Sequence, residues 1–352
     1  MGLQRYKKKL NFPNSFFFRT FVLKYSNMSQ LYPLKFIPIL KDKIWGGEKI
    51  AQLQISDAAT EKTGEAWILS GVENNETIVA NGFLAENSIN ELIEIYMAEL
   101  IGEKNFETFG TEFPLLYKVI DANDDLSIQV HPNDEIALER HNCSGKSEMW
   151  YIMNAEKNAK IIVGFNQDMN QPKFLKALEN KAVLDILAEQ NVRIGDAYYI
   201  PSGCIHSIRK GVLLAEIQQT SDITYRVWDW NRTDEQGNQR KLHVEEALET
   251  LDYNARNDGA TRSQGIINGT SSLIKTPHFH TNEIALTQGV EKDYSDLDSF
   301  VTLLCVKGQG SVVANEISVE IKAGEIILIP ATIEKIQIFP VNSMRLLETY
   351  II

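Results

Sequence analysis

A chain of 352 residues with a formal net charge of −12 at pH 7, 43% hydrophobic and 23% charged residues has the make-up of an ordinary soluble globular protein, long enough for two domains. The acidic balance argues against a general nucleic-acid binder, because phosphate backbones reward clustered Lys and Arg, and no stretch reaches the roughly 20 uninterrupted apolar residues of a membrane-spanning helix. Cys143, Cys204 and Cys305 are scattered and odd in number, with no C-x-x-C pair, so neither a disulfide framework nor a cysteine-rich zinc site is indicated and a reducing cytoplasm is the expected location.

Residues 1–27 carry Arg5, Lys7, Lys8, Lys9, Arg19 and Lys24 with no acid. A basic start followed by Phe16-Phe17-Phe18 has the outline of a targeting peptide, but Arg19 interrupts the apolar run and no small-residue cleavage site follows. The segment is expected to be an upstream extension or a disordered tail, with Met28 as the working start.

From there the chain reads as strands with a few helices. Leu34 to Pro38, and Gly64 to Ser70 with Glu65 and Trp67 inside it, look like strand segments, and Asp42-Lys43-Ile44-Trp45-Gly46-Gly47 adds a glycine turn. Ser88 and Glu91 form a capping box, and Ile89, Leu92, Ile93, Tyr96, Met97 and Leu100 then recur at helical spacing, predicting one amphipathic helix that stops at Gly102. Pro114 to Ile120 is an apolar strand with one charge, Lys118, which either reaches solvent or faces a polar cavity.

Ser127-Ile128-Gln129-Val130-His131 alternates with the period of a strand, so Gln129 and His131 share a face. Asp134 to Arg140 reads as a short helix. Glu148 opens the strand-like run Met149 to Met153, and His206 lies near the end of another, Ala197 to Pro201. An amide, two imidazoles and a carboxylate, from Gln129, His131, His206 and Glu148, can then meet at one point. Two neutral imidazoles and a carboxylate suit zinc and suit non-haem iron(II) equally, so the donors alone do not name the metal. Between the second and third of these strands, Pro172 to Leu178 and Val183 to Leu187 look helical, an insertion serving as either a lid or a packing cover.

The chain repeats itself. Gly195-Asp196-Ala197-Tyr198-Tyr199-Ile200-Pro201 matches Gly324-Glu325-Ile326-Ile327-Leu328-Ile329-Pro330, and the run from Trp150 to Ala155 is echoed by Val301 to Val306. Lys335 stands where the first copy has His206, and the neighbourhood of Asp298 and Ser299 where it has Glu148, so the second copy is expected to keep the fold without the ligands. His278 and His280, with Glu283 nearby, look like a second metal motif but lie too far before Val301 to play the part of Gln129 and His131.

The spaced motifs Gln129-Val130-His131-Pro132, Lys146-Ser147-Glu148, Gly195 to His206 and Glu216 to Arg226 resemble those of the cupin superfamily, and specifically the short bacterial form of the type I mannose-6-phosphate isomerases. The likeness runs from about Leu34 to the C-terminus. It implies a mostly β protein of two cupin (jelly-roll) barrels in tandem, with helices inserted in and around the first: a catalytic unit over 28–270 and a cupin-like unit over 271–352 that lacks the ligand set. It implies one zinc ion per chain on Gln129, His131, Glu148 and His206, with Arg226 catalytic, in an enzyme that interconverts mannose 6-phosphate and fructose 6-phosphate.

Moving a proton between C1 and C2 also requires a general base, for which Glu216 comes first, as a carboxylate that burial can tune toward neutral pH, and Asp222 second. Lys118, Lys146 and Ser147 are candidates for the phosphate or the sugar hydroxyls. Trp45 and Glu65 are further substrate-binding candidates, although packing in the core is the commoner use of such a tryptophan. The partner is then a small sugar phosphate. An iron(II) dioxygenase with two cupin barrels and a non-catalytic sugar-phosphate-binding bicupin are the rival readings.

Overall fold

The computed structural model describes residues 31–233, 236–256 and 258–352, so the basic leader and Met28 lie outside the described residues. Among the described residues the strands form four antiparallel sheets. A seven-stranded sheet runs, in spatial order, Thr261–Arg262, Asp196–Ile200, Glu148–Ala155, Val212–Gln219, Leu115–Ala122, Thr63–Leu69 and Ile39–Asp42. A five-stranded sheet runs Tyr225–Trp228, Ile128–Val130, His206–Ile208, Lys160–Phe165 and Leu187–Asn191. Trp150, Ile152 and Leu214 from the first pack with Ile161, Val163 and Ile208 from the second in one apolar core.

The second pair of sheets repeats the plan. Seven strands, Gly269–Lys275, His280–Leu286, Met344–Tyr350, Val301–Lys307, Ile326–Ile329, Leu34–Ile37 and Ile78–Val79, share a core with the four strands Val290–Asp293, Lys335–Pro340, Gln309–Ala314 and Ile317–Lys322. The two large sheets also pack on each other, through Tyr117, Tyr151 and Ile217 on one side and Leu304, Leu328 and Leu347 on the other. Their central strands are therefore covered on both faces. This explains why Leu115–Ala122 and Val212–Gln219 are buried along their whole length, the polar Lys118, Asp121, Glu216, Gln218 and Gln219 included.

Leu34 pairs with Leu328 and Phe36 with Val79, so the first described strand, and the short one at Ile78–Val79, complete the sheet built by the C-terminal residues. The sequence repeat is matched by pairing. Glu148 lies opposite Ile200, and Val301 opposite Ile329. Val301 thus takes the place of Glu148, which corrects the expected neighbourhood of Asp298 and Ser299. Gln129 lies opposite His206, and Asp293 opposite Lys335. Where the first copy has an amide and an imidazole, the second has an ion pair, Lys335 Nζ to Asp293 Oδ2 at 3.2 Å.

The expected helix from Ser88 is capped as predicted, with Ser88 Oγ accepting from the Glu91 N–H and Glu91 Oε2 accepting from the Ser88 N–H. It does not run through to Gly102. Helix Ile89–Tyr96 ends at Met97, whose φ of 49° breaks the spiral before Ala98–Ile101. Tertiary docking overrides the local periodicity here: the carbonyls of Leu100 and Ile101 accept from the N–H groups of Ala331 and Phe300 in the second sheet pair.

Helix Gln171–Glu179 and the 3-10 turn Val183–Ile186 bury Phe174, Val183 and Ile186 with Ile128, Val130 and Ile205 of the five-stranded sheet. The insertion is a packing cover. Among the described residues no helix is long and apolar enough to cross a membrane.

Candidate functional site

The five-stranded sheet and the seven-stranded sheet that faces it bring the predicted ligands together. His131 follows the strand Ile128–Val130, His206 opens His206–Ile208 beside it, and Glu148 opens Glu148–Ala155 in the opposite sheet. All three are buried, and their ligand atoms lie within 4.8 Å of one another. His131 Nε2 is 3.4 Å from Glu148 Oε2, and His206 Nε2 is 3.5 Å from Glu148 Oε1.

Each imidazole is oriented from behind. His131 Nδ1 donates to the Ile223 carbonyl at 2.9 Å and His206 Nδ1 to the Cys204 carbonyl at 2.9 Å, which leaves both Nε2 lone pairs pointing inward. Burial lowers both imidazole pKa values, that of His206 to about 4, so both are neutral and fit to ligate. Glu148 Oε1 is buried and has no hydrogen-bond partner among the described residues, the mark of an acceptor shaped for something other than protein. The donor set therefore fits a divalent cation.

Gln129 reaches the same place, its Nε2 3.3 Å from His206 Nε2. A half-turn of the amide would present oxygen instead, and the two orientations are close to equivalent in shape.

Next to this centre, the inward face of the seven-stranded sheet forms a charged floor. Glu216 lies opposite Lys118 on one side and Trp150 on the other. It accepts from Lys118 Nζ at 2.9 Å and from Trp150 Nε1 at 2.9 Å, and Lys118 also donates to Gln218 Oε1 at 2.7 Å. Burial alone would raise the Glu216 pKa, but Lys118 and Lys146 outweigh it and bring it well below the usual carboxylate range. Burial, together with the charge on Glu216, pushes Glu148 the other way. The expectation that Glu216 is tuned toward neutral pH is thus corrected: two lysines hold it ionised and make it a weak base.

Removing one member of such a buried pair leaves an uncompensated charge. Lys118→Met is therefore expected to lower the unfolding free energy by about 3 kcal/mol. A denaturant melt measures this, and a loss below about 1 kcal/mol would show that the pair does not stabilise the floor.

A cavity of about 570 Å³ opens over the floor. Of the residues singled out in the sequence, Trp45, Glu65, Lys118, Gln129, Lys146, Glu216, Asp222 and Arg226 line it. Ser147 is not among them: alternation turns it away from Lys146 and Glu148, and its buried hydroxyl accepts the Ser202 N–H at 3.2 Å. Trp45 combines both readings, since it is buried in the core beside Ile120 and Trp150 as well as forming cavity wall.

Glu65 is held by Lys43 at 3.0 Å and by Trp67 Nε1 at 2.8 Å, and Lys41 sits 3.5 Å above the Trp67 ring. Lys41, Lys43, Arg240, Lys241 and His243 also line the cavity and were not singled out in the sequence, and Trp67, noted there inside its strand, lines it too. The even spacing of Lys41 with Lys43 and of Glu65 with Trp67 was the available signal. His278 and His280 stay apart from the cluster; His280 begins the strand His280–Leu286, with its ring 5.9 Å from that of Tyr350.

Comparison with known proteins bears on what this site belongs to. The family model for the phosphomannose isomerase type I catalytic domain matches residues 34–163, the part of the chain that carries Gln129, His131 and Glu148. Mannose-6-phosphate isomerase ManA of Bacillus subtilis is 33% identical over 85% of this chain and 93% of its own length. The mannose-6-phosphate isomerase of Streptococcus mutans is 34% identical over 84% of this chain and 91% of its own. A crystal structure of the Bacillus subtilis mannose 6-phosphate isomerase superposes with a TM-score of 0.80 at 29% identity, covering 91% of this chain and all of that one. The likeness thus extends past the matched domain through His206 and both pairs of sheets, and the chain belongs to the type I mannose-6-phosphate isomerase family.

Proposed function

We propose that the protein is a zinc-dependent aldose-ketose isomerase that interconverts mannose 6-phosphate and fructose 6-phosphate through an enediol, with residues 28–270 as the catalytic unit and 271–352 as a cupin-like unit without the ligand set. The observation that carries this reading is the buried His131, Glu148, His206 cluster, set beside a polar cavity whose wall includes Gln129 and Lys146, both in contact with the cluster. His131, Glu148, His206 and the Gln129 amide hold one ion per chain. When bound, that ion supplies Lewis acidity to the sugar oxygens without any redox change. Gln129 as a fourth donor favours zinc over the iron of a dioxygenase, which needs open positions for oxygen.

The chain's own groups divide the remaining work. Asp222, the second of the two sequence candidates for the base, is exposed at the cavity and accepts no hydrogen bond among the described residues, which leaves its carboxylate available to carry the proton between C1 and C2; Glu246 is the other cavity carboxylate whose side chain accepts none there. Glu216 fixes Lys118 and Trp150 under the sugar. Arg226 stabilises developing negative charge on the sugar oxygens, since a guanidinium stays protonated. Lys118 and Lys146 are each paired with a carboxylate. The phosphate is therefore assigned to the part of the wall where Lys241 lies with Arg226, beside Arg240, which is itself paired with Asp229. The three cysteines are unpaired, which suits a reducing cytoplasm, and cell fractionation reads this directly.

The test is a coupled assay for fructose 6-phosphate formation together with metal analysis. Zinc near one per chain with turnover is expected. Iron with oxygen uptake would favour the dioxygenase, and tight binding without turnover the non-catalytic sugar-phosphate-binding bicupin. Asp222→Asn should also abolish exchange of the C2 proton with solvent; persistent exchange would take the base role from it.

A further inference from the structure

We propose that Lys146 is a built-in cation that holds the donor atoms of the metal centre and yields them to the ion, so that ion loading turns its ammonium group into the substrate cavity. The inference rests on the ion site proposed above and concerns the order in which that site and the cavity become ready.

Lys146 is two residues before Glu148, so the pleat aims both side chains at the same face. Its side chain is 4% exposed, with Nζ 2.9 Å from His131 Nε2 and 2.5 Å from Glu148 Oε2. Both atoms belong to residues of the three-residue ligand cluster.

The chemistry of imidazole makes the two cations competitors. His131 commits its Nδ1–H to the Ile223 carbonyl, so Nε2 is left as an acceptor with one lone pair in the ring plane. That lone pair can accept from an ammonium or bind a metal, but not both. A dication on His131 and Glu148 would also stand within a few ångströms of a buried ammonium, where repulsion is weakly screened. Glu148 cannot retain Lys146 unaided against that charge.

The way out is defined, because Lys146 is itself part of the cavity wall, in company with Lys118, Glu216 and Asp222. An ammonium displaced from His131 enters the space where the sugar hydroxyls lie. Lys146 thereby links the two sites: it keeps the buried Glu148 charge compensated before loading and becomes a substrate-facing donor after it. Ion binding then precedes productive sugar binding.

The test uses the full chain, Zn²⁺ as the only ligand, and two readouts other than turnover. Lys146→Met should lower the apparent Tm of chelator-treated protein by about 4 °C, by stranding Glu148, and leave the zinc-loaded Tm close to that of the loaded parent. Equal losses with and without zinc would overturn the exchange, since they mean that Lys146 keeps the same partners throughout.

In the unsubstituted protein, amine acetylation mapped by mass spectrometry should rise several-fold at Lys146 on zinc loading. Unchanged or reduced labelling would overturn the proposal even if the variant did not fold. Should the parent take up no zinc at all, the ion site falls and this inference with it; zinc uptake without a response at Lys146 sinks only the exchange.

Discussion

Replacing His206 with alanine is expected to strip the ion from the protein and abolish measurable turnover. His206 Nε2 lies 3.5 Å from Glu148 Oε1, the buried oxygen that has no other partner among the described residues, and its Nδ1 is locked to the Cys204 carbonyl. The substitution removes a donor from a four-donor set. It also takes away the imidazole that packs edge-on to Trp150, at a centroid distance of 5.4 Å. Loss of a group that merely orients a ligand typically lowers metal affinity 10- to 100-fold, so loss of a ligand itself should exceed about 100-fold.

Without the ion, the charge that develops on the sugar oxygens has no dication beside it, and a fall in kcat of at least about 10⁴ follows. The fold should survive, because the strand His206–Ile208 is three residues long and flanked by sheet on both sides. Metal analysis after dialysis, circular dichroism and the coupled assay give the answer. A folded His206→Ala protein that keeps a full equivalent of zinc would remove the proposed centre.

The proposed ligands His131 and His206 stood out because each lies by a patterned strand beside a proline turn, and alternation set which way Gln129 and His131 point; Glu148 was read only as the opening of a strand-like run. The repeated glycine, acid, apolar run and proline pointed to two copies, and the two runs pair alike, Ile200 opposite Glu148 and Ile329 opposite Val301. What could not be read depends on partners far away in sequence. Leu34 pairs with Leu328, and nothing local to Leu34-Lys35-Phe36-Ile37 says that this strand completes a sheet built by the other end of the chain.

The ionisation of Glu216 was misjudged for the same reason. Its neighbour Lys118 is 98 residues away, and only the register between the two strands brings a cation to within 2.9 Å. Met97 gives the converse case, in which a helical pattern was locally sound but the docking of Leu100 and Ile101 broke it. Local alternation specifies direction, whereas charge state and continuity are set by long-range contacts.

Arg226→Ala is expected to leave the ion in place and remove most of the turnover. Arg226 lies opposite Gln129 in the five-stranded sheet, so it adjoins the ligand set without belonging to it. Its Nε donates to Ser127 Oγ at 3.3 Å and its Nη1 to the Lys241 carbonyl at 3.2 Å, neutral acceptors that leave its charge uncompensated. Burial and the nearby Arg240 lower its pKa, with Arg232 adding to the effect and Asp229 opposing it. Arg226 is thus a partly buried cation with further guanidinium groups nearby, and an anion would relieve its desolvation.

Two anions can do so, the enediolate oxygens or the C6 phosphate, and kinetics separates them. A group that acts on charge present only in the transition state lowers kcat by about 10²–10³ with little change in KM. A group that grips the phosphate throughout raises KM and leaves kcat nearly intact. The first pattern is expected for Arg226→Ala and the second for Lys241→Ala. Retention of near-normal kcat by Arg226→Ala, with zinc content unchanged, would move Arg226 to the phosphate and leave the enediolate to the ion and the lysines of the floor.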